Sequence, residues 1–334
     1  MASTWDMFVT NVIKYLICLV TIAVLMSMSS DLDVRSLVLK KSRLKFPNDS
    51  EHIYHKKIGR RNDRVRSFAK ISYDNITFAL LKWSVLISLA QTGFLIILLM
   101  QYGSDPMKSN PYFGPSIDIL IQFGAKDADL IIENEEYWRL LSAIMLHAGV
   151  YHLIGNIALQ ILISGHLEHT WGVIIYFAIY FSCGVVGYMF SCCFLYNAVS
   201  VGSSGSIMGL LASWFFDLAF SLQKARAVGD SERVGGQREN VMLYSILAAV
   251  LITLASSWSS GVDWASHAGG CLYGMIWACF LFPKKSSKTE SSIVLLSASP
   301  IASDFENKRI IIRIISASLL LLIPALLLLH MITS

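Results

Sequence analysis

The chain has little charge. Only 15% of its 334 residues are Asp, Glu, Lys or Arg, while 54% are apolar. Ordinary globular domains carry about 25% charged residues, so the composition argues against a soluble fold. The net charge of +4 is small, no basic helix with interleaved aromatics is present, and no Cys and His residues have zinc-finger spacing. Nucleic-acid binding is therefore not expected. Cysteine is sparse: Cys18, Cys183, Cys192, Cys193, Cys271 and Cys279 all lie within apolar stretches. A disulfide framework belongs to small, loop-rich secreted domains, so these residues read as small side chains in lipid or in helix interfaces. No segment alternates as a barrel strand does, and no internal repeat stands out.

What the chain does have is long apolar blocks. They run approximately over 8–28, 83–100, 140–163, 171–194, 203–222, 241–258, 264–282 and 314–331. Each approaches the roughly 20 residues a helix needs to cross the hydrocarbon core. In lipid the backbone must satisfy its own polar groups, which makes all of them helices. The expected fold is an all-α polytopic membrane protein. The first block, within residues 1–28, is either a retained span or a signal peptide.

Lys and Arg in the loops give the orientation. Residues 29–79 hold a basic run that includes Arg35, Lys40, Lys41, Arg60, Arg61 and Lys70, and form a cytosolic linker suited to anionic lipid. Its two sequons, at Asn48 and Asn75, would then go unused. The stretch from Gln101 to Trp138 is acidic, with Asp105, Asp118, Asp127, Asp129, Glu133, Glu135 and Glu136 against Lys108 and Lys126. It should face outside or a lumen. Lys224, Arg226, Arg233 and Arg238 lie in a later cytosolic loop, and residues 284–308 form the next, before a C-terminal span over 309–334.

Polar residues within spans are costly and mark function or helix pairing. The third block carries His147, His152, Asn156 and Gln160. His152 and Asn156 are four apart and share a helix face; interhelical hydrogen bonding is the plain alternative to a site. No His-Glu-x-x-His occurs, and a catalytic zinc needs three protein ligands, so no metal is expected. A later span opens with Gly202-Ser203-Ser204-Gly205, and the span from Trp264 carries His267 followed by Gly270 and Gly274. With Gly205 and Gly209, these glycines form two small-residue faces that let helix backbones approach closely. Such an approach would bring Ser204 within reach of His267. A serine is a weak nucleophile until a base takes its proton. His267 suits that task near neutral pH. No acid within the membrane is placed to orient His267, so a Ser–His dyad is expected, with Asp263 capping its helix. His152, Asn156 and the Ser204 N–H at a helix start could donate to an oxyanion.

As a set, these residues resemble the rhomboid intramembrane serine proteases. Trp138-Arg139 looks like the family's pair in its long first loop. His147, His152 and Asn156 are similar to its histidines and asparagine on one core helix. Gly202-Ser203-Ser204-Gly205 resembles its nucleophile motif, and His267 with Gly270 and Gly274 its basic histidine and glycine pair. Met208 stands where many members have an aromatic that packs on the histidine. The resemblance implies a six-helix core over 80–283 plus the C-terminal span. It implies Ser204 as nucleophile, His267 as general base, and oxyanion donors at His152, Asn156 and the Ser204 amide. Trp138 and Arg139 would be structural. No cofactor is implied. Substrates would be proteins with a single transmembrane helix, hydrolysed near the outer membrane face.

A retained first block would put Ser204 in the fifth span, as in the mitochondrial branch. The Trp-Arg pair, the acidic loop and the lack of an Arg-rich transit peptide favour the secretory pathway instead: Golgi, endosomal or plasma membrane. Two other classes compete. An inactive relative that binds membrane clients usually lacks the serine or the histidine. A transporter often shows inverted repeats or broken paired helices, and neither is evident.

Overall fold

A computed structural model describes residues 82–228, 237–259, 262–282 and 300–333. The N-terminal block, the basic linker with both sequons, and residues 284–299 of the cytosolic loop expected over 284–308 lie outside the described residues. Among those described, the regular elements are helices, with one isolated antiparallel bridge between Lys126 and Ser200. The chain order is α1 (Trp83–Tyr102), α2 (Ile117–Gln122), α3 (Ala128–Ile132), α4 (Arg139–Met145), α5 (Val150–Trp171), α6 (Val173–Phe194), α7 (Ser204–Val228), α8 (Gln237–Ser259), α9 (Trp264–Leu281) and α10 (Pro300–Thr333). Segments within α1, α5, α6, α7, α8 and α10 are long and apolar enough to cross a membrane. With α9 they make the core and C-terminal helices of an all-α polytopic membrane protein. α9 is not among those six; its sequence is diluted by glycine, serine and histidine, and its buried residues include Ser266, His267, Gly269, Gly270 and Gly274.

The third apolar block is not one helix. It divides into α4 and α5, with the chain extended at Leu146 and Gly149. The reason is a backbone contact. Val150 N–H donates to Phe113 O at 3.0 Å and Tyr151 N–H to Tyr112 O at 3.2 Å. Asn110 Nδ2 donates to Ala148 O at 2.8 Å. The long first loop thus takes up backbone groups that a continuous helix would have paired internally. His147 sits in this break, while His152 and Asn156 lie on α5.

Side chains suited to helix starts place the short helices of that loop. Ser116 Oγ accepts from Ile119 N–H at 3.5 Å, and Asp127 Oδ1 accepts from Leu130 N–H at 3.2 Å. Both are residue types that satisfy the unpaired first-turn donors. Arg139 is buried and reaches back across the loop. Its Nε donates to Glu136 at 2.6 Å and its Nη1 to Ala125 O at 3.3 Å. Its guanidinium also lies 4.8 Å from the centre of the Trp138 ring, which is itself exposed.

The core lies where α6, α7 and α9 meet. Tyr176, Tyr180, Ile207, Met208 and Leu210 are fully buried there. A polar ladder joins α1, α5 and α6. Tyr180 Oη donates to Gln160 Oε1 at 2.7 Å, and Gln160 Nε2 donates to Ser88 Oγ at 2.8 Å. Gln91 Nε2 donates to Ile144 O at 3.1 Å. Glu168, near the end of α5, accepts from the N–H groups of Trp83 and Ser84 at 3.1 and 3.3 Å, placing a carboxylate at the positive end of α1.

Helix α10 is largely exposed and begins at Pro300, before the expected boundary at 309; its apolar stretch starts at Ile310. It is tied to α9 twice. Arg313 Nε donates to Phe280 O at 3.1 Å, and Tyr273 Oη donates to Leu320 O at 2.7 Å. Leu320 is four residues before Pro324, which has no N–H to offer that carbonyl. The Tyr273 phenol supplies the missing donor. The described cysteines are all free thiols.

Candidate active site

Ser204 is the first residue of α7, and Gly202 turns the chain into it. Gly202 has φ of 117°, a conformation side chains rarely adopt, and a Cβ there would lie 2.7 Å from His152 Cε1. The turn is held on both sides: Gly202 N–H donates to Ala143 O at 2.8 Å, and Tyr188 Oη donates to Gly202 O at 2.6 Å. The first N–H groups of α7, that of Ser204 included, have no acceptor within the helix.

His267 lies one turn into α9. Asp263 caps that helix, as expected, its Oδ1 accepting from Ser266 N–H at 2.8 Å. Glycines set the approach of α9 to α7. A Cβ on Gly270 would strike the Gly205 carbonyl, and one on Gly274 would strike the Gly209 carbonyl. A Cβ on Gly205 would come within 2.7 Å of Ser266 Oγ. Only bare backbone permits this spacing. It brings His267 Nε2 to 2.6 Å from Ser204 Oγ, within the range over which a base accepts a hydroxyl proton. His267 is 4% exposed, whereas Ser204 is half-buried.

His152 and Asn156 face the same turn. Their side-chain nitrogens, His152 Nε2 and Asn156 Nδ2, would lie 3.0 and 3.6 Å from a Cβ placed on Gly202. His152 Nδ1 accepts from Ala148 N–H at 3.4 Å. A neutral imidazole has one proton, so its Nε2 becomes the donor, turned toward the Gly202–Ser204 turn. Asn156 Nδ2 also donates to His152 O at 3.1 Å. His147 is buried and meets the His152 ring edge-on, with centroids 5.3 Å apart. The structure therefore brings Ser204, His267, His152 and Asn156 into one cluster. Trp138 and Arg139 are not part of it; they stand at the start of α4, where the first loop ends. No group of three or more metal-ligating side chains occurs among the described residues.

Two residues of the site were not apparent in the sequence. Ser257, near the end of α8, has its Oγ 2.7 Å from His267 Nδ1. The available signal was a serine ten residues before the histidine in sequence. The other is Lys126, which had read as a minor cation in an acidic loop. It is fully buried. Its Nζ donates to Leu195 O and Ala198 O, each at 2.8 Å, and to Tyr196 O at 3.4 Å. Its backbone pairs with Ser200 in both directions, at 2.9 and 3.0 Å. Lys126 thus clasps the segment leading to the Gly202 turn. Desolvation holds its amine below the ordinary lysine range, against the opposing pull of nearby anionic groups such as Asp127 and Asp263.

A family model for the rhomboid domain matches residues 134–284, a span that contains all four clustered side chains. The chain is 31% identical to RHOMBOID-like protein 6, mitochondrial, of Arabidopsis thaliana, over 58% of this chain and 59% of that protein. It is 29% identical to RHOMBOID-like protein 7 of the same plant, over 66% of each. Inactive RHOMBOID-like protein 8, also from Arabidopsis thaliana, is 31% identical over 36% of this chain and 35% of its own length. The chain thus spans 59% and 66% of the length of the first two of these relatives. Residues 134–284 match the rhomboid domain, and they lie within a bundle of apolar helices.

Proposed function

We propose that the protein is an intramembrane serine endopeptidase that hydrolyses peptide bonds of single-span membrane proteins through Ser204 and His267. The observation that carries this reading is the 2.6 Å contact between Ser204 Oγ and His267 Nε2. Ser204 attacks the scissile carbonyl as His267 takes its proton, and His267 returns that proton to the leaving amine. Water then hydrolyses the acyl-enzyme. The Ser204 N–H, His152 Nε2–H and Asn156 Nδ2–H are the donors for the tetrahedral oxyanion. The match to the rhomboid domain supports protease-like chemistry on transmembrane proteins in a lipid environment. Within the reading, the acidic 101–138 loop faces a secretory-pathway lumen or the cell exterior. Imaging of the tagged full-length chain against mitochondrial and secretory markers tests that, and mitochondrial import would overturn it.

The test of the chemistry is labelling of the purified, detergent-solubilised protein by a fluorophosphonate probe. Labelling that is lost in Ser204→Ala and in His267→Ala supports the reading. A folded wild type that does not label removes it. Asn156→Ala should slow labelling by about 10²–10³, the worth of one oxyanion donor, and so lose less than Ser204→Ala. A second reading, a client-binding protein without activity, is favoured by one observation: a relative named as inactive is 31% identical. Pull-down of single-span proteins by a wild type that fails to label would support it.

A further inference from the structure

We propose that Ser257 is the positioning residue of the pair, fixing the tautomer of His267 in the place where a carboxylate often stands in serine hydrolases. The inference rests on the reading of Ser204 and His267 given above. It begins with a count of protons. His267 makes two contacts, Nε2 to Ser204 Oγ at 2.6 Å and Nδ1 to Ser257 Oγ at 2.7 Å. A neutral imidazole has one N–H to share between them. With the proton on Nε2, His267 donates to Ser204 and cannot take its hydrogen. With the proton on Nδ1, the Nε2 lone pair faces the serine and the reaction can start.

Ser257 decides which nitrogen holds it. A hydroxyl has one hydrogen, and that of Ser257 is directed at Thr253 O, 2.6 Å away and one turn back on α8. With this hydrogen committed, Ser257 Oγ presents lone pairs to the ring, so Nδ1 must be the donor. The opposite tautomer would require Ser257 to release the Thr253 carbonyl. Ser257 is 3% exposed, so water does not readily replace either partner. The aligned sequence Thr253 C=O, Ser257 O–H and His267 Nδ1–H is also suited to the reacting state. When Ser204 Oγ bonds to the acyl carbon, its O–H bond breaks and the proton passes to Nε2. The resulting imidazolium keeps an acceptor at Nδ1 within an already oriented chain of dipoles.

No carboxylate competes for this role among the described residues bonded to His267. The nearest candidate in sequence, the Asp263 carboxylate, makes no hydrogen bond to the His267 ring: its Oδ1 accepts from Ser266 N–H, and its buried Oδ2 has no hydrogen-bond partner among the described residues. Ser257 is mounted on α8, so three helices define the pair: α7 holds the nucleophile, α9 the base, and α8 the group that orients the base.

The experiment is fluorophosphonate inactivation of the full-length protein in detergent, resolved into the saturating rate and the half-saturating probe concentration. Ser257→Ala should lower the saturating rate about tenfold to a hundredfold, part of the 10²–10⁴ general-base contribution, and leave the half-saturating concentration unchanged. Ser257→Thr keeps the hydroxyl and its bond to the Thr253 carbonyl, and should restore the rate to within about threefold of wild type on the same scale. If the alanine variant does not fold, Ser257→Cys, which keeps the shape with a poor acceptor, should show the same rate loss. A folded alanine or cysteine variant that reacts as fast as wild type, or faster, overturns the role of Ser257 and leaves Ser204 and His267 standing. A rate loss that threonine does not restore, or one expressed in the half-saturating concentration, also overturns it. A folded wild type that does not react at all removes the underlying reading, and this one with it.

Discussion

Where α7 meets α9, side chains are nearly absent; where α1 meets α5 and α6, side chains carry the contact. The first junction is backbone against backbone, with Gly270 on Gly205 and Gly274 on Gly209. The second is a ladder of Gln91, Gln160, Tyr180 and Ser88, with Glu168 capping the start of α1. In lipid, apolar burial does little to join helices, leaving close packing and hydrogen bonds. The protein uses one for each junction. Packing of bare backbone is rigid because nothing can rotate aside, and it is used where the serine–imidazole distance must be held. A ladder of amides and hydroxyls tolerates rearrangement of its members, and it is used away from the reacting atoms.

The strongest way to break that contrast is Gly270→Leu. Four added carbons have no room against the Gly205 carbonyl, so α9 must move away from α7. The expected loss is about 3 kcal/mol or more, with fluorophosphonate labelling abolished; detergent-state thermal unfolding and labelling read the two. Near-normal labelling would refute the tight seam. Gln160→Leu attacks the other junction. It takes the acceptor from the Tyr180 hydroxyl and the donor from Ser88 Oγ, and should cost about 2 kcal/mol. Labelling per folded molecule should stay unchanged; a large fall would mean the ladder also sets the site.

A third kind of contact, outside the spans, sharpens the comparison. Burial holds the Lys126 amine below its ordinary pKa of 10.5, so between the folded value and 10.5 the unfolded chain binds a proton that the folded chain does not. Stability from this group must therefore rise with pH across that window, with a slope of up to about 1.4 kcal/mol per pH unit. A melting-temperature series over alkaline pH should show the rise in wild type and not in Lys126→Met. A flat wild-type profile would rule it out. The smallest effect belongs to Ser213→Ala. Ser213 Oγ donates to Gly274 O at 2.8 Å, a side-chain bond within the glycine seam. Its removal should cost only about 0.6 kcal/mol, and a loss as great as that of Gln160→Leu would show that the seam depends on side chains after all.

Much of this arrangement was legible in the sequence, for a physical reason. Polar residues and glycines stand out against an apolar background, so Ser204, His267, His152, Asn156 and the spaced glycines could be picked out without coordinates. Their order along the chain already suggested which helices must touch. The break before α5 was not legible, because Leu146, His147 and Ala148 continue an apolar block and the cause lies in the backbone of Tyr112 and Phe113, more than thirty residues earlier. Lys126 was hidden by its company: a cation in an acidic loop reads as solvated, and only the fold shows it buried among carbonyls. Ser257 was hidden by its type, since serines in spans commonly bond back to their own helix, as this one does to Thr253. Gln160 was noticed, but its partners Ser88 and Gln91 lie about seventy residues away.

The proline of α10 has a mechanical consequence. A helix that loses a rung at Pro324 acquires a weak point where it bends readily. Here the empty rung at Leu320 is occupied by Tyr273, six residues beyond His267 on the same helix. Flexing α10 at that point would pull on the phenol, and so on the strut that holds the imidazole. One hydrogen bond thus joins the weakest rung of the C-terminal helix to the helix that carries the imidazole.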